Sequence, residues 1–126
     1  MIKGIGTDVV LISRIEGCIK KHGMRFLSKV HNPEEIELCA RKAVPAVYYA
    51  GRWAVKEAFY KALPDHCQKI STWKSIMVLS SDGTNAPVII IREPRLAALL
   101  EETSVKTHHV SISHEKDVCV AFVVLE

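Results

Sequence analysis

Gly51-Arg52-Trp53-Ala54-Val55-Lys56-Glu57-Ala58-Phe59-Tyr60-Lys61-Ala62 is the stretch on which the fold turns. Pro45 suits the first position of a helix and Pro64 stops one, so a helix is predicted from Pro45 to about Leu63. Val47, Ala50, Gly51, Ala54, Ala58 and Ala62 recur at helical spacing. They are small enough to let this helix lie close against a sheet or another helix. Trp53, Glu57 and Lys61, each four residues from the last, form a separate stripe.

Before that helix, Ile2 to Val10 reads as a strand in which Ile5, Thr7 and Val9 alternate with Gly4, Gly6 and Asp8. Glycines on the Asp8 face leave bare backbone there, the mark of a close approach. Ser13 is placed to cap a helix running from Arg14, with Glu16 in its first turn. Gly23 breaks that helix before a second from Met24 to Val30. Asn32-Pro33-Glu34-Glu35 then has the cap, proline and acids of another helix start.

After it, Trp73 to Leu79 and Val88 to Ile91 read as strands around the turn Ser81-Asp82-Gly83-Thr84-Asn85. Arg95 to Glu102 reads as a short helix. Thr107 to Ser113 and Val118 to Leu125 make a closing hairpin around His114-Glu115-Lys116-Asp117. On the last strand, Val118, Val120, Phe122 and Val124 share one face, and Cys119, Ala121, Val123 and Leu125 the other. Both faces are apolar, so both call for a cover. Helices supply one cover and a second subunit is expected to supply the other. The fold class is α+β: an antiparallel sheet packed against a long helix and shorter helices, in one domain over residues 1–126.

Almost half the residues are hydrophobic (48%), yet no apolar run is long enough to span a membrane. The opening Met-Ile-Lys-Gly-Ile-Gly lacks the apolar core of a signal peptide. Cys18, Cys39, Cys67 and Cys119 are scattered without a Cys-x-x-Cys pair, as expected for reduced thiols of a cytosolic protein. The net charge of +3 is concentrated early, at Lys3, Arg14, Lys20, Lys21, Arg25 and Lys29. Such a basic third suits an acidic partner, whether nucleic acid, anionic membrane or acidic protein, or simply a solvated helix face.

Asp8 and Glu57 are the candidate chemistry. Two carboxylates with cations nearby suit Mg²⁺ and a diphosphate, because Mg²⁺ takes oxygen ligands and shares its shell with phosphates and water. Arg52, Lys56 and Lys61 surround Glu57 with positive charge. The blander reading is that Glu57 and Lys61 form an ordinary exposed helix pair worth about 0.2–0.5 kcal/mol. On the strand before the last turn, Val110 and Ile112 point to the core with His108 and His114, while His109, Ser111 and Ser113 share a polar face. A zinc site from His108, His109 and His114 is disfavoured, since the two faces diverge and no cysteine pair assists. Walker, dinucleotide-binding and nucleophile-elbow patterns are missing, as are RNA-binding signatures, so nucleic acid is not expected as a partner.

Gly4-Ile5-Gly6-Thr7-Asp8-Val9-Val10 leading to Arg14-Ile15, then Gly51 to Ala62, then His109-Val110-Ser111-Ile112-Ser113-His114, resemble the three blocks of holo-acyl-carrier-protein synthases. These are the small bacterial type of 4′-phosphopantetheinyl transferase. The resemblance implies transfer of 4′-phosphopantetheine from coenzyme A to a serine of an apo acyl carrier protein, releasing adenosine 3′,5′-bisphosphate. It further implies a role in fatty acid biosynthesis, a cytoplasmic location and a homotrimer with active sites between subunits. Mg²⁺ would be held by Asp8 and Glu57. Lys61 would act as a catalytic cation, and Arg52, Lys56, Lys61, His109 and Ser111 would meet the phosphates of coenzyme A. Arg14, Arg25 and Phe26 would receive the acidic carrier. One departure stands out: Leu63-Pro64-Asp65-His66-Cys67 replaces the family's Phe-Gly-Thr-Gly-like turn. Proline lacks an N–H and Asp65 would repel phosphate, so weaker coenzyme A binding or a reshaped loop is expected.

Overall fold

The computed structural model describes all of Met1–Glu126. Along the chain run β1 (Gly4–Leu11), α1 (Ile12–His22), α2 (Met24–Val30), α3 (Pro33–Ala40), α4 (Pro45–Ala62) and α5 (Asp65–Gln68). A 3-10 turn (Trp73–Ser75) then leads to β2 (Ile76–Ser80), β3 (Pro87–Ile91), α6 (Pro94–Glu102), β4 (His108–Glu115) and β5 (Val118–Leu125). The strands form an antiparallel three-stranded sheet in the order β1-β5-β4 and a separate β2-β3 ribbon. The architecture is α+β, as the sequence predicts.

Helix α4 lies across one face of the larger sheet, and its small residues explain how closely. Ala50, Ala54 and Ala58 are completely buried. A Cβ on Gly4 would stand 1.9 Å from the carbonyl oxygen of Ala62, and one on Gly6 would stand 1.8 Å from that of Ala58. Glycine is therefore required at both positions, because backbone fills the space a side chain would take. Register carries this face across the sheet: Gly6 pairs with Val123 and Asp8 with Ala121, while Val110 and Ile112 oppose the same two residues from β4. Cys119, Ala121, Val123 and Leu125 are buried under α4 with Val55 and Phe59. Each large apolar side chain so buried contributes roughly 1.5–3 kcal/mol.

The other face of the sheet has no cover within the chain. It carries Ile5, Val9 and Leu11 from β1 at 55%, 64% and 50% exposure, together with Val118, Val120 and Phe122 from β5. His109 and Ser111 of β4 belong to this same open face, since they pair with Val124 and Phe122.

Two local expectations are corrected. Ser13 does not cap α1, which starts at Ile12. Instead the Asp117 carboxylate accepts the Ser13 N–H at 2.8 Å and its hydroxyl at 2.5 Å, so the β4–β5 turn caps the helix from a distance in sequence. Trp73 to Ser75 is not strand, because the Ser75 hydroxyl accepts the Thr72 N–H at 2.8 Å and closes a turn. The strand begins at Ile76. Gly23 separates α1 from α2 with φ at 55°, as its conformational freedom allows. All four cysteines are free thiols, and no helix is long and apolar enough to cross a membrane.

Candidate active site

Asp8 projects from the α4 side of β1, just beyond the point where Gly6 lets the helix touch the strand. Its side chain is 13% exposed. From α4, Lys61 reaches across and donates to Asp8 Oδ1 at 3.1 Å and to the Thr7 carbonyl at 3.0 Å. Glu57, one turn earlier, is half-buried and forms no ion pair. The ordinary Glu57–Lys61 helix pair is therefore corrected by the structure: Lys61 chooses Asp8.

Burial pushes the Glu57 carboxyl up, and the negative charge of Asp8 adds to the effect; Lys61 and Arg14 pull the other way. Asp8, Glu57, Lys61 and Arg14 thus form one electrostatic group built from β1, α1 and α4. Two like charges held close with an incomplete share of cations favour a further positive charge. The donor set is oxygen alone, and no cluster of three or more His, Cys, Asp and Glu side chains suited to a metal occurs in the chain. Two carboxylates fit a hard divalent ion whose remaining positions fall to phosphate and water, as Mg²⁺ prefers. Asp8 also raises the buried Cys119 thiol, after burial itself.

A cavity of about 390 Å³ opens beside Glu57, lined by Tyr60, Ser71, Thr72, Trp73 and Ile76. Sequence reasoning did not find this wall. The only signal for it was the polar Ser71-Thr72 pair ahead of an aromatic, which also fits any surface turn. A larger cavity of about 490 Å³, between α6 and β4, lies apart from Glu57 and is lined by Leu100, Lys106 and His108 among others.

The remaining expected site residues divide. Arg52 is 4% exposed, with Nε on the Val78 carbonyl and Nη2 on the Ser80 hydroxyl, both at 3.1 Å. Lys56 is 4% exposed and donates to Val30 O, Glu35 Oε1 and Trp73 O at 2.7, 2.8 and 2.9 Å. Both were expected to meet phosphates; the chain instead commits both to its interior, because a buried cation needs acceptors on every side. Glu35, completely buried, is the partner that sequence reading missed, having taken it only as a helix-start acid. Burial raises the Glu35 carboxyl, but the His31 ring at 3.9 Å, the Lys56 ammonium and the Asn32 N–H more than reverse this, holding it at about 2.

His109 and Ser111 are exposed on the open sheet face, across the sheet from Asp8, so one chain does not bring them to the carboxylates. The His109 ring instead stands 3.3 Å from a Glu126 carboxylate oxygen. Arg25 is exposed on α2, and Phe26 is half-buried, stacked on Trp53 at 5.9 Å. Pro64 precedes a one-turn helix whose Cys67 is buried in the core, while the Gln68 side chain donates to the Tyr60 carbonyl at 2.9 Å. The departing turn is thus rebuilt as packing rather than as a glycine loop.

The sequence profile of the 4′-phosphopantetheinyl transferase superfamily matches residues 4–123. A holo-[acyl-carrier-protein] synthase of Syntrophus aciditrophicus is 40% identical over 126 residues, covering 100% of this chain and 97% of that one. The crystal structure of the holo-[acyl-carrier-protein] synthase of Neisseria meningitidis superposes with a TM-score of 0.85 at 34% identity, covering 100% of this chain and 99% of that one. That of Helicobacter pylori, in complex with coenzyme A, gives 0.79 at 32% identity, covering 97% and 99%.

Proposed function

The chain belongs to the 4′-phosphopantetheinyl transferase superfamily, among the holo-[acyl-carrier-protein] synthases, and from that membership we propose its reaction, cofactor and assembly. It moves the 4′-phosphopantetheine group of coenzyme A onto a serine hydroxyl of an apo acyl carrier protein. Adenosine 3′,5′-bisphosphate is the other product. The reaction depends on Mg²⁺, takes place in the cytoplasm and serves fatty acid biosynthesis. The observation that carries this reading is that Glu57, which lines a cavity, feels the negative charge of Asp8, whose own partner is Lys61.

Asp8 and Glu57 are the residues that would hold the cation. When bound, Mg²⁺ supplies neutralisation of the diphosphate and a fixed orientation for it. Lys61 is half-exposed and has three donors, of which Thr7 and Asp8 take two. The third is available to an oxygen of the transferring phosphoryl group, where positioned positive charge lowers the barrier. The serine oxygen bonds to the phosphorus that bears pantetheine, the bond from that phosphorus to the bridging oxygen breaks, and the hydroxyl proton passes to water. Glu57 serves as a ligand rather than as the base, because a carboxylate committed to a cation is a weak proton acceptor.

The open apolar sheet face supports a homotrimer. Closing those faces on one another would remove the exposed Val9 and Phe122 from water, and His109 and Ser111 of one copy, which lie away from its own carboxylates, are assigned to the site of the next. Active sites then lie between subunits, with His109 and Ser111 meeting coenzyme A phosphates. Arg14, beside Glu57, and Arg25 with Phe26 on α2 form the basic surface for the acidic carrier. The coenzyme A bound in the Helicobacter pylori relative supports the choice of donor.

The test is the intact mass of an apo acyl carrier protein after incubation with this enzyme and coenzyme A. The expected result is a gain of one phosphopantetheine that a chelator prevents and Mg²⁺ restores. A carrier that stays unmodified here, yet is modified by another synthase, would overturn the reading.

A further inference from the structure

Lys56 precedes Glu57 on α4 and lines the same cavity, yet its ammonium has no donor left for a ligand. An ammonium carries three donors, and Val30, Glu35 and Trp73 accept all of them. Glu35 is equally occupied. Its Oε1 also accepts the Asn32 N–H and side-chain amide at 2.8 and 3.2 Å, and its Oε2 accepts the Val78 N–H at 2.9 Å. One buried ion pair therefore joins the last residue of α2, the start of α3, the middle of α4, the Trp73 turn and β2.

Two of those junctions bear on the site. Val30 closes the helix that carries Arg25 and Phe26, and Trp73 forms part of the cavity wall beside Glu57. A second, independent link joins the same two places: Trp73 stacks on Trp53 at 4.2 Å, and Trp53 stacks on Phe26. The ion pair holds the backbone at both ends while the aromatic column fills the space between. A surface for the acidic partner and a wall of the donor cavity are thus locked to each other and to α4.

We propose that Lys56, paired with Glu35, is a positioning residue that fixes the Trp73 wall of the cavity against helix α2, and does not bind the donor's phosphates. Its consequence for catalysis rests on the transferase reading; its structural part does not. The two roles part company in a double variant. Lys56→Met leaves Glu35 buried without its cation and Glu35→Gln leaves Lys56 without its anion, and breaking one side of a buried pair is the damaging change. Glu35→Gln with Lys56→Met is neutral on both sides and keeps the shapes. A positioning pair is rescued by the double change; a phosphate ligand is not.

The experiment measures KM for coenzyme A and for the carrier, kcat, and the near-ultraviolet circular dichroism of the stacked Trp53 and Trp73, the chain's two tryptophans. Each single variant is expected to lose about tenfold or more in kcat/KM, the scale on which slight misplacement acts, and to weaken the tryptophan signal. The double variant is expected to recover both, with KM for coenzyme A returning to that of the wild type. If Lys56→Met keeps the tryptophan signal and raises only KM for coenzyme A, and the double variant does no better, the proposal is overturned. Where a single variant fails to fold, the double variant decides by the same two readouts. If the wild type transfers nothing, the transferase reading falls, and the tryptophan signal of the double variant still decides the positioning role: recovery upholds it and persistent loss ends it.

Discussion

Lys61 bonds to Asp8 at 3.1 Å and leaves Glu57, four residues earlier on the same helix face, with no ion pair. The helix thus presents one neutralised carboxylate and one that is raised by burial and by Asp8. An acid whose folded pKa lies above its unfolded value stabilises the fold below that unfolded value and loses the contribution as pH rises through the folded one. Glu57→Gln should therefore abolish transfer and the stabilisation by Mg²⁺, yet raise the melting temperature of the metal-free protein at neutral pH. At pH 4 the wild type is itself largely protonated there, and the two melting temperatures should converge. Melting curves at both pH values, with and without Mg²⁺, check this; a lower melting temperature for the variant at neutral pH would count against it.

The approach of α4 to β1 gives a second expectation. Gly6→Ala puts a methyl carbon 1.8 Å from the Ala58 carbonyl oxygen, and neither backbone segment can yield without parting the helix from the strand that carries Asp8. Overpacking of this kind costs about 1–3 kcal/mol. Denaturant unfolding should show that loss, and activity should fall with it because Asp8 and Glu57 sit on the two parted elements. Gly17→Ala, where a Cβ meets nothing within 4 Å, is the control and should be neutral or slightly stabilising.

How much of this was legible beforehand follows from which signals are local. The run of alanines in α4 and the glycines of β1 announce a helix packed tightly on a strand, because spacing and side-chain size act within a few residues. Asp8, Glu57 and Lys61 stood out for the same reason, and the structure brings the three together. What failed was pairing over distance. Lys56 and Arg52 look in sequence like exposed cations of an anion site. Only the return of Glu35, Val78 and Ser80 against α4 shows that they are structural. Ser13 fits a cap by its place before a basic helix, yet Asp117, 104 residues away, supplies the cap. Alternation on β4 was read correctly for Val110 and Ile112 against His109 and Ser111, while His114, placed with the core face, is exposed; alternation also cannot say that His109 and Ser111 lie across the sheet from Asp8.

That last geometry makes a prediction about assembly. The protein is expected to sediment at about three times the 14.1 kDa of one chain, and Phe122→Glu, on the open face, should shift it to a monomer that has lost activity. If His109 and Asp8 of one active site come from different copies, Asp8→Asn and His109→Ala should each be inactive alone. Unfolded together and refolded, they should regain activity, because mixed trimers contain sites with both wild-type residues. A mixture that stays inactive while forming mixed oligomers would show that each site is built within one chain.

Acid should attack the interior before the surface. Glu35 is held at about 2, below its ordinary 4.5, so its contribution is present above the ordinary value and is lost as pH falls toward 2. His31 is lowered too, chiefly by its own burial, and its ring nitrogens have no hydrogen-bond partner. A base with a lowered pKa likewise stabilises above its ordinary 6.5 and ceases to as pH falls. Both effects have one sign, opposite to that of the raised Glu57, so in a Glu57→Gln background the melting temperature should decline from about pH 6.5 downward and steepen below 4.5. His31→Leu should flatten the upper part of that decline, and Glu35→Gln the lower, at reduced overall stability. A melting temperature independent of pH over this range would contradict both assignments.

The cap on α1 ties the helix that bears Arg14 to the β4–β5 turn. Asp117 accepts the Ser13 N–H and hydroxyl through its carboxylate, and its carbonyl accepts the Ile12 N–H at 2.8 Å. The start of α1 is thereby fixed to the β4–β5 turn, and Arg14 follows at once. Losing an N-terminal cap costs about 0.5–2 kcal/mol, so Asp117→Ala should lower stability by that amount while leaving the Asp8–Glu57–Lys61 group in place. Because Arg14 is proposed to meet the carrier, KM for the carrier should rise more than KM for coenzyme A. The carrier interaction should also weaken with salt, since exposed charges more than about 8–10 Å apart are screened at ordinary ionic strength. Steady-state kinetics at two salt concentrations separate the outcomes. Equal increases in both KM values would mean that the turn supports the donor cavity and not the carrier-facing helix.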